Sequence, residues 1–284
     1  MTIVAHTRSE YREFIGRKPG KRAFVPTMGA LHAGHLELVK AARQEVGPDG
    51  EVVVSIFVNP TQFGANEDLA QYPRPFHEDV KLCTEAGVDV VFAPLVEEMY
   101  PGGVSLAEVT SVQAGPVGAI LEGASRPGHF AGMLTVVAKL FNLTGPDIAF
   151  FGEKDYQQLA LVSAMVRDLN FSIDVRGVTT VRDTDGLALS SRNSYLSDAE
   201  RSIAAAIPRA LTAAQMCGGS VREKLAAAQA ELVGDIEVTY LAAMRNDLQA
   251  ELDPDATNVP GRILIAARVG TTHLIDNCPI SVGA

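Results

Sequence analysis

The chain has 284 residues, of which 47% are hydrophobic, and its formal net charge is −10 at pH 7. This length and apolar content allow one large domain or two smaller ones, each with a buried core. The negative charge argues against a nucleic-acid-binding surface, and no apolar run approaches the 18 residues of a membrane-spanning helix. Cys83, Cys217 and Cys278 lie far apart in no metal-ligating spacing, which favours reduced thiols. With no secretory pattern either, we expect a cytoplasmic protein that binds neither nucleic acid nor membrane.

Short β-branched runs alternate with helical patterns in the first half of the chain. The strands are predicted at Ala23–Val25, Val52–Val58, Val88–Ala93 and Ile148–Phe151, and the helices at 35–46, 78–86, 130–143 and 156–169. Such alternation predicts βαβ units and an α/β fold with a doubly wound parallel sheet. The apolar runs are nearly continuous, as expected for strands that are covered on both faces. Ligands of such a sheet bind at the carboxyl ends of its strands.

The sequence pattern changes after residue 178. Ala-rich helical patterns cover 199–216 and 221–233, and strand-like runs follow at Glu237–Ala242 and Arg262–Val269. We therefore predict two domains: residues 1–178 form the parallel-sheet domain, and residues 179–284 form a second, smaller α+β domain.

Two histidines stand where the first predicted strand turns into a helix. His32 and His35 belong to the segment Pro26–His35, and Leu36 and Val39 begin the apolar stripe of the helix that follows. At a helix N-terminus, free N–H groups and the dipole favour an anion, and glycines let a ligand approach the backbone. The segment therefore predicts a phosphate site. Two histidines in such a turn can also be solvated or simply cap the helix.

Two later segments carry the cations that a polyphosphate needs. Neither a P-loop nor a dinucleotide-binding fingerprint occurs, so another device must hold a nucleotide. Lys154 follows a strand and a glycine, and the run Ser190–Arg192 supplies two hydroxyls and a guanidinium. Together they suit a polyphosphate that must be held as charge builds. The alternatives are an ordinary solvated lysine at a helix start and a turn that only caps a helix.

Six segments occur in a fixed order over almost the whole length of the chain. They are PTMGALHAGH, FVNPTQFG, YPRPF, RPGHFAGMLTVV, FGEKDYQQL and DGLALSSRN. Together they closely resemble the pantothenate synthetase (pantoate–β-alanine ligase) family of the nucleotidylyltransferase superfamily. The resemblance implies a Rossmann-like sheet in residues 1–178 that binds ATP and pantoate, and a lid role for residues 179–284.

The resemblance also implies an activity: ATP-dependent condensation of pantoate with β-alanine to pantothenate through a pantoyl adenylate, with release of AMP and pyrophosphate. The catalytic residues it implies are His32, His35, Lys154, Ser190, Ser191 and Arg192. For ATP binding it implies Met28, Gly34, Gly152, Asp155 and Val181. Gln62 and Gln158 match the family's pantoate-binding glutamines, and His129 is a candidate for the substrate pocket. From the residues alone, the alternatives are exposed glutamines and a histidine at a helix start.

Magnesium is expected as the ion that neutralises ATP, held mainly by phosphate oxygens and water, and family likeness suggests a homodimer. The sequence identifies neither the metal ligands nor the group that deprotonates β-alanine. Glu78 and Asp79 could touch the water shell of the metal, but a solvated helix start is the simpler expectation.

Two other functions compete with ligation. One is transfer of a nucleotidyl group onto a phosphate acceptor, and the other is nucleotide binding without catalysis. The second is disfavoured because a pure binder needs no groups placed for a leaving pyrophosphate, such as His32, His35 and Lys154. A tRNA-charging role is disfavoured by the acidic composition.

Overall fold

The computed structural model describes residues 2–64, 69–257 and 259–280. The chain divides into two compact units, of which the first contains Met1–Glu153 and Leu161–Thr179 and the second contains Lys154–Ala160 and Thr180–Ala284. The segment that begins at Lys154 therefore clusters with the second unit. The predicted division at residue 178 into an ATP- and pantoate-binding domain and a lid stays a prediction.

A six-stranded parallel sheet organises the first unit. Its strands are β1 (Ile3–Ala5), β2 (Arg22–Thr27), β3 (Glu51–Ile56), β4 (Val90–Phe92), β5 (Ile148–Gly152) and β6 (Asp174–Val178). Their spatial order is β1-β4-β3-β2-β5-β6, and the paired strands run parallel. Apart from β1 at one edge, this is the order of a Rossmann fold without its sixth strand. The order reverses between β2 and β5, so the carboxyl ends of these two strands form the switch point at which ligands bind.

The central strands are buried because both faces of the sheet are covered. Val52, Val53 and Val54 of β3 are fully buried, as the continuous apolar pattern predicts. The helices of this unit are α1 (Arg8–Phe14), α2 (Ala33–Val46), α3 (Phe76–Glu85), α4 (Val96–Met99), α5 (Glu122–Ser125) and α6 (His129–Thr144), and α7 (Tyr156–Asp168) belongs to both units. Within the described ranges, no helix is both long enough and apolar enough to cross a lipid bilayer.

A three-stranded antiparallel sheet organises the second unit. It consists of β7 (Ile236–Met244), β8 (Gly261–Val269) and β9 (Thr272–Ile280) in that spatial order, and the helices are α8 (Asp198–Ala204), α9 (Ala206–Met216) and α10 (Val221–Glu231). Ile263 and Ile265 of β8 share one buried apolar cluster with Ile207 and Leu211 of α9. The predicted α/β fold with a smaller α+β domain is confirmed.

The predicted helix at 199–216 is two helices in the structure. The break falls at Ala205, between α8 and α9. Pro208 explains it, because proline has no N–H to donate to the Ala204 carbonyl and its ring collides with that group in a continuous helix.

Strand β9 is not predicted by the sequence pattern, and neither are β1, β6 and α1. The β9 segment contains Asp276, Asn277 and Pro279, which are poor strand formers. It is one of the two edge strands of its sheet, where proline is tolerated. The two polar side chains are buried and bound to arginines, Asp276 to Arg182 and Asn277 to Arg262. Tertiary contacts therefore stabilise a strand that local preference disfavours.

Candidate active site

The turn after β2 contains two histidines whose rings accept backbone N–H groups at the start of α2. His32 is the N-cap residue, and its Nδ1 accepts a hydrogen bond from the Gly34 N–H at 3.1 Å. The Nδ1 of His35 accepts the His32 N–H at 3.3 Å. The two ring centroids lie 4.1 Å apart. The imidazoles thus take the places that a serine and a glutamate hold in the usual capping box.

These contacts define the chemical state of both rings. A ring nitrogen that accepts an N–H carries no hydrogen, so in these contacts the ring hydrogen of His32 and of His35 lies on Nε2. Each ring can donate this hydrogen to an anion. The expectation that free backbone N–H groups bind the anion needs correction, because the N–H groups of His32 and Gly34 are used within the cap.

Asp79 of α3 holds the backbone of the same turn. Its Oδ2 accepts the Ala30 N–H at 2.9 Å, and its Oδ1 accepts the Leu31 N–H at 2.7 Å. Gly29, with φ of 84°, lies so close that a Cβ there would stand 2.9 Å from the Asp79 Oδ2. This close approach and the positive φ both require glycine.

Asp79 is only 1% exposed, so the expectation of a solvated helix start is wrong at this residue. Burial raises the pKa of its carboxyl above the ordinary value, and the N–H groups of Leu31 and Ala30 oppose the rise. Both carboxylate oxygens are already bound to the turn. Asp79 therefore stabilises the turn that precedes His32 and is not solvated.

Gln62 is buried, at 8% exposure, which excludes the alternative of an exposed glutamine. Its Oε1 accepts from the Asn59 Nδ2 at 3.0 Å, and its Nε2 donates to the Met28 Sδ at 3.3 Å. Asn59 is held in turn by the Tyr100 hydroxyl, which donates to its Oδ1 at 2.8 Å. The structure thus brings together Gln62 and Met28, a predicted pantoate residue and a predicted ATP residue.

His129 begins α6, as its helix-start alternative states, and it also binds the backbone of Gln62. Its Nδ1 lies 2.8 Å from the Gln62 carbonyl oxygen, and its Nε2 lies 3.2 Å from the Arg126 guanidinium. Because a carbonyl only accepts and a guanidinium only donates, Nδ1 carries the hydrogen. Gly132 permits this packing, since a Cβ there would lie 2.2 Å from the Thr61 carbonyl oxygen.

Gly152 ends β5, the strand that pairs with β2 at the switch point. A Cβ on this glycine would meet no protein atom within 4 Å. The space beside the end of β5 can therefore admit a ligand. In the first unit, His32 thus lies beside His35. Gln62 contacts both Met28 and His129, and Gly152 ends the strand next to β2.

Lys154 and Asp155, in the second unit, lie in a 3₁₀ turn that precedes α7. The Lys154 Nζ is 3.6 Å from the Asp155 Oδ1, and the two side chains are 19% and 48% exposed. Lys154 is therefore not the freely solvated lysine of the alternative interpretation. Gln158 lies half-buried in the first turn of α7.

The run Ser190–Arg192 follows a hairpin that is anchored by an ion pair. Val181 and Leu189 close the hairpin, with the Leu189 N–H donating to the Val181 carbonyl at 2.9 Å. Arg182 donates two hydrogen bonds, of 2.6 and 3.0 Å, to the buried carboxylate of Asp276.

The run itself then begins a 3₁₀ helix, Ser191–Tyr195. The Ser190 Oγ accepts the Arg192 N–H at 3.2 Å, so the run does cap a helix, as the alternative interpretation states. The cap uses an oxygen lone pair of Ser190 and leaves its hydroxyl hydrogen able to donate. Ser191 and Arg192 are half-buried. Capping and ligand binding are therefore compatible here.

Comparison with known proteins decides the family. Residues 3–279 match the family model described as pantoate-beta-alanine ligase. The pantothenate synthetase of Nocardioides sp. is 52% identical over 99% of this chain and 86% of its own length. The one from Sphingopyxis alaskensis is 50% identical over 99% of this chain and 100% of its own length. The chain belongs to the pantoate–β-alanine ligase family.

Solved structures of the ligase family have the same fold. A pantothenate synthetase from Thermus thermophilus is 49% identical, with a TM-score of 0.90 over 98% of this chain and 99% of its own. A pantoate–β-alanine ligase from Francisella tularensis, complexed with beta-gamma ATP and β-alanine, is 35% identical, with a TM-score of 0.80 over 98% of this chain and 97% of its own. The predicted family and its fold are confirmed.

Sequence reasoning missed the residues that support the ligase-family motifs. Asn59 orients the Gln62 amide, and Asp79 binds the turn before His32. The signal for Asn59 was its place at the end of an apolar strand, before a proline. No local signal marks Asp79, because its partners lie 48 and 49 residues earlier in the chain.

The described residues contain no group of three or more His, Cys, Asp or Glu side chains placed to hold a metal ion. An ion that keeps most of its water and binds phosphate oxygens needs no protein cage, so the residues present fit magnesium carried by ATP.

We predict that Asp79→Asn lowers both stability and turnover. The amide places an NH2 group against one of the two N–H donors, and a buried unsatisfied donor costs about 1–3 kcal/mol. The displaced turn moves His32, so we expect kcat to fall roughly 10- to 100-fold. Thermal unfolding and steady-state kinetics measure both effects. Glu85→Gln, which removes an exposed carboxylate from the same helix, is the control. Unchanged kcat in Asp79→Asn would contradict the role given to this carboxylate.

Proposed function

We propose that the chain catalyses the ATP-dependent condensation of pantoate with β-alanine to pantothenate, with AMP and pyrophosphate as the other products. Membership of the pantoate–β-alanine ligase family over residues 3–279 carries this proposal. The Francisella tularensis relative, complexed with beta-gamma ATP and β-alanine, supports ATP and β-alanine as substrates.

The first half-reaction in this proposal is the adenylation of pantoate. A carboxylate is already ionised near pH 7, so it attacks the α-phosphorus without a base. A carboxylate oxygen bonds to the α-phosphorus while the bond from phosphorus to the pyrophosphate oxygen breaks. The Nε2 hydrogens of His32 and His35 donate to phosphate oxygens as their charge grows. Preorganised donors of this kind stabilise the transition state more than the bound substrate.

The polyphosphate is assigned to the cations of the second unit. Lys154 and Arg192 neutralise the leaving pyrophosphate, and the hydroxyls of Ser190 and Ser191 donate to its oxygens. The limited exposure of the Lys154 side chain supports this role, because its charge is less screened by water than that of a fully exposed lysine.

The rest of the nucleotide is assigned to residues around it. Asp155 accepts from a ribose hydroxyl, and the other residues assigned to the nucleotide are Met28, Gly34, Gly152 and Val181. The open space beside Gly152 supports this assignment, since a ligand can approach the backbone there.

Pantoate is assigned to Gln62 and Gln158, and His129 is a further candidate for binding the substrate. Pantoate offers two hydroxyls and a carboxylate, and each amide offers donors and an acceptor. The buried Gln62 has its Oε1 held by Asn59, so its NH2 group is the part presented to a substrate. Met28 beside it gives an apolar contact for the methyl groups of pantoate.

Magnesium is proposed as the ion that accompanies ATP and withdraws charge from its phosphate oxygens. Phosphate oxygens and water are its main ligands, in keeping with the donor set of the described residues. A homodimer, which the family resemblance implies, and a cytoplasmic location, which the sequence composition favours, complete the proposal.

In the second half-reaction the neutral amine of β-alanine attacks the acyl carbon of the adenylate. The new C–N bond forms as the bond from that carbon to the AMP oxygen breaks, and the amine loses a proton. Nucleotidyl transfer to a phosphate acceptor is the competing reaction, and it would yield no amine-dependent product.

Isotope exchange tests this function. We predict that the protein exchanges labelled pyrophosphate into ATP when pantoate is present and β-alanine is absent, because the adenylate forms reversibly before the amine reacts. The measurement is the appearance of label in ATP, with reactions lacking pantoate as the control. Absence of exchange with active protein would rule out a free-standing adenylation step.

We expect His35→Ala to slow the exchange by roughly 10²-fold or more without loss of fold, since it removes a preorganised donor.

Substitution of Gln62 tests the pantoate site. Gln62→Glu keeps an oxygen for Asn59 but removes the NH2 group and adds a negative charge opposite a carboxylate substrate. We predict a rise in the KM for pantoate of roughly 10²-fold with a much smaller change in the KM for ATP. The exposed Gln113, replaced by alanine, is the control. An unchanged KM for pantoate in Gln62→Glu would contradict this assignment.

A further inference from the structure

The segment that carries Lys154 is tied to the antiparallel sheet of the second unit by one buried amide. Asn277 of β9 donates from its Nδ2 to the Lys154 carbonyl oxygen at 2.9 Å. Asn277 is 4% exposed. This bond joins residues that are 123 positions apart in the chain, and it acts on the backbone of the lysine itself.

Arg262 fixes the direction in which the Asn277 amide points. Its Nη1 donates a hydrogen bond to the Asn277 Oδ1. Because a guanidinium only donates, the oxygen of the amide faces Arg262 and the NH2 group faces Lys154. The same guanidinium lies 3.8 Å from the ring centroid of Tyr156, two residues beyond Lys154.

Tyr156 gives the segment a second attachment. Its hydroxyl donates to the Asn246 carbonyl oxygen at 3.0 Å, just after β7. With the Lys154 carbonyl and the Tyr156 ring both held, the intervening turn has little freedom to rotate. The backbone position from which the Lys154 side chain extends is therefore set in part by contacts to the sheet of the second unit.

We propose that Asn277 is a positioning residue for Lys154 in the reaction with ATP. The inference rests on the proposed role of Lys154 as a ligand of the polyphosphate. A misplacement of about 1 Å of a group that stabilises a transition state can cost 10²-fold in rate. Asparagine is disfavoured in strands. The buried Asn277 is in β9 nonetheless, and there it donates a hydrogen bond to the Lys154 carbonyl.

Asn277→Asp separates this role from ordinary packing. The carboxylate is the same size and still accepts from Arg262, but it cannot donate and it repels the Lys154 carbonyl oxygen. We expect kcat/KM for ATP to fall roughly 10- to 100-fold, with the KM for pantoate changed less than about threefold. Ile280→Val, a buried apolar change in the same strand, is the control for stability, and its kinetics should stay close to those of the parent. Asn277→Ala, which adds no charge, serves in parallel if the aspartate variant does not fold.

A double-mutant cycle with Lys154→Ala tests whether Asn277 acts through Lys154. If Asn277 acts through Lys154, its substitution lowers kcat/KM for ATP in the parent protein and has little further effect once Lys154 is alanine. An equal loss in both backgrounds, or no loss in the parent, overturns the inference while leaving the role of Lys154 intact. Normal activity of Lys154→Ala alone would instead overturn the proposed role of the lysine, so the two failures are distinguishable.

Discussion

Hydrogen bonds to the backbone of the turn between β2 and α2 set the position of the two histidines at the switch point of the sheet. Asp79 binds the N–H groups of Ala30 and Leu31, and the imidazoles of His32 and His35 bind the next N–H groups. An imidazole that accepts a hydrogen bond at Nδ1 carries its ring hydrogen on Nε2. The cap therefore does two things: it ends the turn, and it selects the tautomer that has a donor at Nε2. Protonation of either ring at Nδ1 would remove a cap bond.

The second unit uses buried polar side chains in a comparable way. Adjacent residues of β9 hold two different segments, Asp276 through Arg182 and Asn277 through the Lys154 carbonyl. Removing one partner of a buried ion pair leaves the other uncompensated, so such residues are costly to change. Strand β9, which the sequence pattern does not predict, therefore binds the segment of Lys154 and the hairpin that precedes Arg192.

The sequence predicts the four central strands of the parallel sheet, β4, β3, β2 and β5, because each contains a nearly continuous apolar run, of which Val52–Val54 is the plainest. It misses the edge strand β6, whose residues include Asp174 and Arg176. It predicts β9 poorly because Asp276 and Asn277 owe their burial to arginines that are distant in sequence. The resemblance to the family motifs leads to His32 and Gln62, because both residues lie within the blocks that carry the resemblance. They do not reveal Asp79 or the orientation of the Gln62 amide, because these depend on hydrogen bonds that only the folded chain brings together. The assumption of free N–H groups at α2 failed for the same reason: a helix end can be capped by the very side chains proposed to bind the ligand.

The proposed function depends on activation of pantoate by attack of its own carboxylate on the α-phosphorus of ATP. In that mechanism each molecule of product would leave one former carboxylate oxygen on AMP, since the bond from that oxygen to carbon breaks when β-alanine attacks. Pantoate labelled with ¹⁸O in its carboxylate, followed by mass spectrometry of the nucleotide products, measures this transfer directly. We predict that the AMP formed carries one ¹⁸O atom. Unlabelled AMP, or ADP accompanied by labelled inorganic phosphate, would contradict it.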